Sequence, residues 1–224
     1  MPPERFPTCP PQEPSPLVLA SASPRRRELL LSLGLHFQVV PSRTDESLLA
    51  GESPRDHVLR LSREKALEVA GRRDIVGRWF LGSDTIVLRD ATVLGKPRDA
   101  AEAAAMLRSL SGREHQVLSG YALYDRSRQL LEAGAVATRV RFKKLTEEEI
   151  QGYIATGEPF DKAGAYAIQG CGAFMIPAID GSYSNVVGLP LCEVVSALER
   201  LGALRLAATA GQPLFLLPGS GTQP

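Results

Sequence analysis

The chain has 224 residues, 44% hydrophobic and 23% charged, with 26 Lys and Arg residues against 25 Asp and Glu residues. This composition is typical of a folded globular protein and excludes disorder along the whole chain. No apolar run approaches the roughly 20 residues that cross a bilayer, and a net charge of +1 argues against a general nucleic-acid-binding surface. We therefore expect one large domain or two tightly packed lobes, with no membrane span and no nucleic-acid partner; a local basic pocket is not excluded.

The cysteine pattern and the N-terminus indicate the compartment. Cys9, Cys171 and Cys192 lack the spacing of a disulfide framework or a zinc site, so we expect small, partly buried residues in a reducing environment. The N-terminus lacks the apolar segment and the cleavage site of a secretion signal. We therefore expect a cytoplasmic protein.

Apolar runs and helix-capping residues alternate between a Pro-rich start and a Gly/Pro-rich end. Residues 1–16 carry seven of the 17 prolines, which predicts a flexible tail. Strands are predicted at residues 17–20, 37–40, 79–88, 93–94, 116–124, 136–142 and 172–176. Helices are predicted from Pro24 to Gly34, Pro54 to Gly71, Asp99 to Ser111 and Thr146 to Gly157, and after Pro190, with capping boxes in Asp99/Glu102 and Thr146/Glu149. Because short turns join several neighbouring strands, we expect an α/β fold with a mixed sheet.

The segment LVLASASPRRRELL places three arginines, Arg25, Arg26 and Arg27, in the first turn of the first helix. Cations there oppose the helix dipole, whereas the free N–H groups of a helix start attract anions. A bound phosphate, contacted by the hydroxyls of Ser21 or Ser23 and one or more arginines, would compensate; a solvated basic helix start is the alternative. At most two of the three arginines can face one pocket, because successive helical residues lie about 100° apart.

Two further charged residues occupy positions that are predicted to be buried. Lys65 lies at the centre of the apolar face of the second helix, where a lysine either reaches an edge or meets an anion. Asp84 interrupts an apolar strand, where a carboxylate binds a cation, performs proton chemistry or caps a neighbouring loop.

Lys96, held between Gly95 and Pro97, and Glu46, in the loop after the second strand, complete the set. Lysines, carboxylates and a helix start that attracts phosphate together suggest a triphosphate with a hard divalent cation such as Mg²⁺.

Seven strings resemble the Maf family of nucleotide pyrophosphatases: SASPRRREL, REKA, GSDTIV, GKPRDA, LSGREHQV, DKAGAYAIQG and NVVGLPL. The resemblance covers residues 17–203 and leaves residues 204–224 as a partly flexible C-terminal extension. It implies an elongated, two-lobed α/β structure with a mixed sheet and a central cleft, similar to the inosine-triphosphate pyrophosphatases. It also implies hydrolysis of nucleoside triphosphates to the monophosphate and pyrophosphate.

The resemblance assigns roles residue by residue. It makes Asp84 the proton acceptor that activates water, and it places Arg25, Thr85 and Gln169 at the positions that set base specificity. The branch acting on 7-methyl-GTP has Gln in place of Thr85 and Glu in place of Gln169, so this chain carries the dTTP/UTP pattern.

Four other residues, Ser21, Glu46, Lys65 and Lys96, match cleft positions of the family. We expect Arg25, Lys65 and Lys96 to hold the triphosphate, and Glu46 with Asp84 to hold Mg²⁺ or Mn²⁺. The resemblance thus implies a dTTP/UTP pyrophosphatase that cleans the nucleotide pool, and it suggests a homodimer. The alternative is a non-catalytic nucleotide-binding regulator of cell division or septum formation.

Overall fold

The computed structural model describes residues 16–206 and 215–216. The tail predicted at residues 1–16 lies outside this part except for Pro16, whose carbonyl accepts hydrogen bonds from the backbone N–H groups of Arg78 and Trp79. Most of the predicted C-terminal extension also lies outside it. Within the extension, Arg205–Leu206 and Phe215–Leu216 pair as antiparallel strands.

A mixed sheet forms the centre of the structure. Its strands are β1 (Leu17–Leu19), β2 (Gln38–Val39), β3 (Trp79–Arg89), β4 (Thr92–Leu94), β5 (Glu114–Asp125), β6 (Leu130–Arg141) and β7 (Ala178–Asp180). The order is β2-β1-β3-β5-β6-β7, with β4 also paired to β3. β1 runs parallel to β2 and β3, and the other pairs are antiparallel. The predicted mixed α/β fold is confirmed.

Six α-helices of the described chain connect or cover these strands. They are α1 (Pro24–Ser32), α2 (Pro54–Gly71), α3 (Ala100–Leu110), α4 (Glu147–Ala155), α5 (Tyr183–Val187) and α6 (Leu191–Arg200). Ser23 and Ser53, which precede the first residues of α1 and α2, and the predicted caps Asp99 and Thr146 each accept a hydrogen bond from a backbone N–H group in the first turn. None of the helices in the described part of the chain has the length and the apolar character that crossing a bilayer requires.

One predicted capping box is complete and the other is half formed. Thr146 and Glu149 each bond the other's backbone N–H group, as predicted. At α3, Asp99 accepts from the N–H of Glu102, but the Glu102 carboxylate accepts from the backbone N and Nε of Arg98 instead. The nearby guanidinium supplies a charged donor, which forms stronger hydrogen bonds than a neutral N–H group.

The strand predicted at residues 172–176 is wrong. Residues Gly170–Met175 form a 3-10 helix, and a strand follows only at Ala178–Asp180. A short apolar run does not distinguish a strand from a buried helical turn. The expected partial burial of the cysteines is also wrong for Cys171 and Cys192, which are free and exposed.

Helices cover both faces of the central strands, so the side chains that point to either face of the sheet are buried. On one face α2 packs against a cluster that includes Val18, Ala20, Phe80 and Ala122. On the other face α1 and α6 pack against Leu17, Leu19, Trp79, Leu81 and Leu123. Further along that second face, α3 and α4 pack against Val87, Val117 and Val140. The strands are therefore apolar on both sides, and any charged residue among them stands out.

Two strand glycines let α2 approach the sheet closely. A Cβ atom on Gly82 would lie 2.1 Å from the backbone oxygen of Ser62, and one on Gly120 would lie 2.2 Å from that of Val58. Neither distance is sterically possible, so only glycine permits this separation. The close approach brings Lys65 of α2 over Asp84, two residues beyond Gly82 on the same face of β3.

We expect Gly120→Ala to lower the free energy of unfolding by at least about 2 kcal/mol, because the added methyl group meets backbone that cannot move aside alone. Gly152→Ala is the matched control, since a Cβ atom there meets nothing within 4 Å inside α4. It should be neutral or stabilising by up to about 1 kcal/mol. Urea denaturation measures both, and equal stabilities would contradict the tight packing of α2.

Candidate active site

A cleft opens beside β3 where one edge of this strand lacks a strand partner. β1 pairs with β3 only as far as Leu81, and β4 pairs with β3 only from Val87 onward. Between these two points no described strand pairs with that edge. The cleft at this gap has a volume of about 380 Å³.

All eight residues singled out in the sequence line this one cleft. They are Ser21, Arg25, Glu46, Lys65, Asp84, Thr85, Lys96 and Gln169. They come from separate parts of the chain: the β1–α1 segment, the loop before α2, α2 itself, β3, the loop after β4 and the loop before the 3-10 helix. The fold therefore brings the predicted set together, and each residue's contacts decide what it can do.

Lys65 lies between two carboxylates. Its Nζ is 2.7 Å from Asp84 Oδ1 and 2.5 Å from Glu46 Oε1. Lys65 and Asp84 are buried, whereas the Glu46 side chain is 60% exposed. The predicted inward direction of Lys65 is confirmed, and of the two outcomes left open for it, the contact with anions is the one observed.

The same three side chains have a donor set suited to a divalent cation. One ammonium group contacts two carboxylates, and the buried guanidinium group of Arg26 also interacts electrostatically with both. Asp84 Oδ1 and Glu46 Oε1 both lie within hydrogen-bond distance of Lys65 Nζ, so the two carboxylates face the same point in the cleft. Magnesium is commonly held by one or two carboxylates together with substrate phosphates and water. In the described residues no group of three His, Cys, Asp or Glu side chains is arranged to hold a metal, so such a site would need ligands from the substrate.

Two of the three arginines of α1 reach the cleft, as the helical spacing predicts. Arg25 lines it and donates from Nη1 to Asp161 Oδ2 at 3.0 Å. Arg26 also lines it but is buried, and Arg27 is exposed and lies outside the cleft lining.

Arg26 fills the gap in the edge of β3. Its Nη1 donates to the backbone oxygen of Ser83 at 2.9 Å and to Ser21 Oγ at 3.1 Å. Its Nε donates to the backbone oxygen of Gly188 at 2.8 Å, and its Nη2 to Thr85 Oγ1 at 3.0 Å. The guanidinium group therefore satisfies a strand carbonyl that no neighbouring strand reaches, and it joins three segments around the cleft.

Arg26 was one of the three arginines predicted near a phosphate, but the family resemblance assigned a role only to Arg25, and the burial of Arg26 was not predicted. Arg26 lies four residues before Leu30, and both are buried on the same face of α1. Burial lowers the pKa of Arg26, and the negative charges of Asp84 and Glu46 act in the opposite direction. In the sequence, Leu30 is the apolar residue one helical turn after Arg26, and this single spacing in a basic helix start was too weak a pattern to predict that Arg26 is buried.

Thr85 lies in the wall of the cleft with its hydroxyl engaged by the protein. Besides the bond from Arg26, Oγ1 lies 2.9 Å from Ser119 Oγ and donates to the Gly188 oxygen at 3.2 Å when its hydrogen points there. The hydroxyl thus ties β3 to β5 and to the turn after α5. These hydrogen bonds hold the Thr85 side chain in one place, so it forms a fixed part of the cleft wall.

Lys96 and Gln169 line the cleft from two loops. Lys96 is exposed, and its loop is tied to the segment after α4 by a hydrogen bond from Gly164 N to Gly95 O at 2.9 Å. Gln169 is half-buried just before the 3-10 helix, and among the described residues its amide has no hydrogen-bond partner. Both side chains are therefore available to a ligand.

Asp161 and Lys162 also line the cleft and were not predicted. Lys162 Nζ lies 2.5 Å from Asp161 Oδ1 and 2.8 Å from the backbone oxygen of Glu158, so Asp161 accepts from both Arg25 and Lys162. These residues belong to the string DKAGAYAIQG, but the short 3-10 turns around them lack the periodicity that would have indicated their direction.

Comparison with known proteins gives consistent matches over most of the chain. The family model described as Maf-like protein matches residues 16–201. A protein of Syntrophotalea carbinolica named dTTP/UTP pyrophosphatase is 67% identical over 87% of this chain and 89% of its own length. Proteins of the same name from Geotalea uraniireducens and Myxococcus xanthus are 58% and 54% identical, over 86% and 83% of this chain and 98% and 92% of their own lengths.

We expect Arg26→Met to lower the free energy of unfolding by at least about 2 kcal/mol, because it leaves the buried Ser83 carbonyl without its side-chain donor and removes one of the two donors to the Gly188 carbonyl. The exposed neighbour Arg27 provides the control, and Arg27→Met should change stability by less than about 0.5 kcal/mol. Chemical denaturation of both variants distinguishes them. A similar small effect in both would rule out a structural role for the Arg26 hydrogen bonds.

Proposed function

This chain belongs to the Maf family, and from that premise we propose that it hydrolyses dTTP and UTP to the nucleoside monophosphate and pyrophosphate. Relatives that carry the name dTTP/UTP pyrophosphatase and match most of this chain support the assignment. The observation that carries it is the placement of Lys65 between Asp84 and Glu46 in a cleft that also contains Arg25 and Lys96. Such a set of charges is suited to a polyphosphate with a divalent cation and poorly suited to a neutral ligand.

Asp84 is the proposed proton acceptor. Its Oδ1 is bonded to Lys65 at 2.7 Å, and Oδ2 has no hydrogen-bond partner among the described residues. Oδ2 can therefore take a proton from a water molecule that attacks the α-phosphorus. The bond from the α-phosphorus to the bridging oxygen then breaks, and pyrophosphate leaves with the electron pair.

Glu46 and Asp84 would hold Mg²⁺ or Mn²⁺ against the phosphate oxygens. The cation would neutralise part of the charge on the triphosphate and on the leaving pyrophosphate. Lys65 orients both carboxylates, so it would set their positions before substrate arrives. Either role of Asp84, as base or as metal ligand, uses its own carboxylate oxygens.

The phosphate chain would lie along the cationic side chains. Arg25 and Lys96 reach the cleft from α1 and from the loop after β4. Ser21 Oγ accepts hydrogen bonds from Ser23 N and Arg26, so its own hydrogen is available to a phosphate oxygen. Fixed donors and cations of this kind supply most of the rate enhancement in phosphoryl transfer.

Gln169, with Arg25 and Thr85, would select the base. A neutral amide offers both a donor and an acceptor to the edge of a pyrimidine, whereas a carboxylate would suit the cationic ring of a methylated guanine. The unpaired amide of Gln169 at the cleft supports this role. We also propose that the reaction cleans the nucleotide pool in the cytoplasm and that the enzyme works as a homodimer without a nucleic-acid partner.

We expect Asp84→Asn to lower kcat for pyrophosphate release from dTTP by about 10²–10⁴-fold, the usual contribution of a general base. The variant should still fold and bind dTTP, because the Asn carbonyl can accept the bond from Lys65 and Glu46 remains the ion-pair partner of this lysine. Exposed Asp74→Asn should behave as wild type. Near-normal turnover by the variant would exclude the catalytic role. A wild-type protein that binds dTTP but releases no pyrophosphate with either Mg²⁺ or Mn²⁺ would instead favour a nucleotide-binding regulator.

Gln169→Glu should lower kcat/KM for dTTP and UTP by about tenfold or more relative to 7-methyl-GTP, because the carboxylate cannot donate a hydrogen bond. A panel of these nucleotides with a common pyrophosphate assay measures the ratio. An equal loss for every nucleotide would mean that Gln169 does not read the base.

A further inference from the structure

The loop that carries Gln169 is flanked by two interacting side chains that lie outside the cleft lining. Tyr153, on α4, is buried, and Glu158 follows this helix. The Tyr153 hydroxyl donates to Glu158 Oε1 at 2.8 Å. Neither side chain lines the cleft, so any effect on a ligand would be transmitted through the loop.

These two side chains hold the backbone on both sides of Gln169. Before it, Ala167 N donates to Tyr153 Oη at 3.2 Å. After it, Cys171 N donates to Glu158 Oε2 at 2.9 Å, and Gly172 N donates to Glu158 Oε1 at 3.1 Å. The loop from Ala167 to Gly172 is therefore fixed at both ends by one hydrogen-bonded pair.

Glycines let the loop come this close to the pair. A Cβ atom on Gly170 would lie 2.7 Å from Glu158 Oε2, and one on Gly172 would lie 2.8 Å from Tyr153 Oη. Gly170 also has a φ of +70°, which a residue with a side chain adopts only with strain. The backbone next to Gln169 is thus shaped around these two side chains.

The charge states suit this role. Burial would raise the pKa of Glu158, but hydrogen bonds from Cys171 N, Tyr153 and Gly172 N outweigh it and hold the pKa below its usual value. Burial, together with the bond to Glu158, raises the pKa of Tyr153, so the phenol keeps its proton. The carboxylate remains a charged acceptor, and hydrogen bonds to charged acceptors are the stronger kind.

We propose that Tyr153 and Glu158 are positioning residues for base recognition, which fix Gln169 at the cleft by holding both ends of its loop. The inference rests on the proposed function, because it takes Gln169 as the residue that reads the base. It predicts that loosening the pair weakens the binding of ligands that carry a pyrimidine and spares ligands made of phosphate alone.

The experiment compares two ligands by isothermal titration calorimetry with Mg²⁺ present. One is α,β-imido-dUTP, which resists hydrolysis between the α and β phosphates; the other is inorganic tripolyphosphate, which has no base. Glu158→Gln places an NH₂ group against one of the N–H groups of the loop. It should raise the Kd of α,β-imido-dUTP by about tenfold and leave that of tripolyphosphate within about twofold. Glu199→Gln, at an exposed position of α6, is the matched control and should change neither value.

A double-mutant cycle tests whether the effect passes through Gln169. In a Gln169→Ala background, adding Glu158→Gln should change the Kd of α,β-imido-dUTP by less than about twofold, because the residue being positioned is gone. Tyr153→Phe, which removes only the hydroxyl, should act in the same direction by about threefold and provides a second variant if Glu158→Gln does not fold.

Three results would overturn the inference: an equal rise in Kd for both ligands, no rise for either, or an undiminished effect of Glu158→Gln in the Gln169→Ala background. Wild-type turnover of dTTP is a separate readout. Its absence would contradict the proposed reaction, whereas the ratio of the two dissociation constants judges the positioning role independently of hydrolysis.

Discussion

The buried contact between Lys65 and Asp84 depends on how closely α2 lies on the sheet. Removing these two groups from water carries a large desolvation cost, and close pairing with good geometry offsets it. Gly82 and Gly120 provide that geometry, because no other residue leaves space for the α2 backbone. The packing of α2 against the sheet therefore also places the charged groups at this end of the cleft.

A second constraint is the interruption of the sheet beside β3. A parallel β1 that stops early and a β4 that begins late leave an edge of β3 without a strand partner in the described chain. A buried unpaired carbonyl is costly, and Arg26 supplies the missing donor at Ser83. The same guanidinium binds the Gly188 carbonyl and the Thr85 hydroxyl, so one side chain both closes the gap and sets the wall in which the ligand would lie.

Local signals in the sequence were sufficient for most of the fold. Helix starts were predictable because Ser23, Ser53, Asp99 and Thr146 cap them through bonds within one turn. The 3-10 helix at Gly170–Met175 was not predictable, because the Glu158 carboxylate accepts hydrogen bonds from the N–H groups of Cys171 and Gly172 in its first turn, and no local pattern indicates this contact. For the candidate site, isolated charges in apolar surroundings identified Lys65 and Asp84. The burial of Arg26 and the role of Asp161 were not predicted, because Arg26 bonds the distant carbonyls of Ser83 and Gly188 and Asp161 accepts from the distant Arg25.

The cleft contains its own counter-ions. Arg25 and Lys162 share Asp161, and Lys65 has Asp84 and Glu46, whereas Lys96 has no carboxylate partner among the described residues. An incoming anion must therefore compete with carboxylates that are already in place and cannot diffuse away. A small singly charged anion gains too little from one exchange to do so, while a chain of linked phosphates can engage several cations at once. The internal ion pairs thus favour ligands that carry several linked charges over the simple anions that surround a protein in solution.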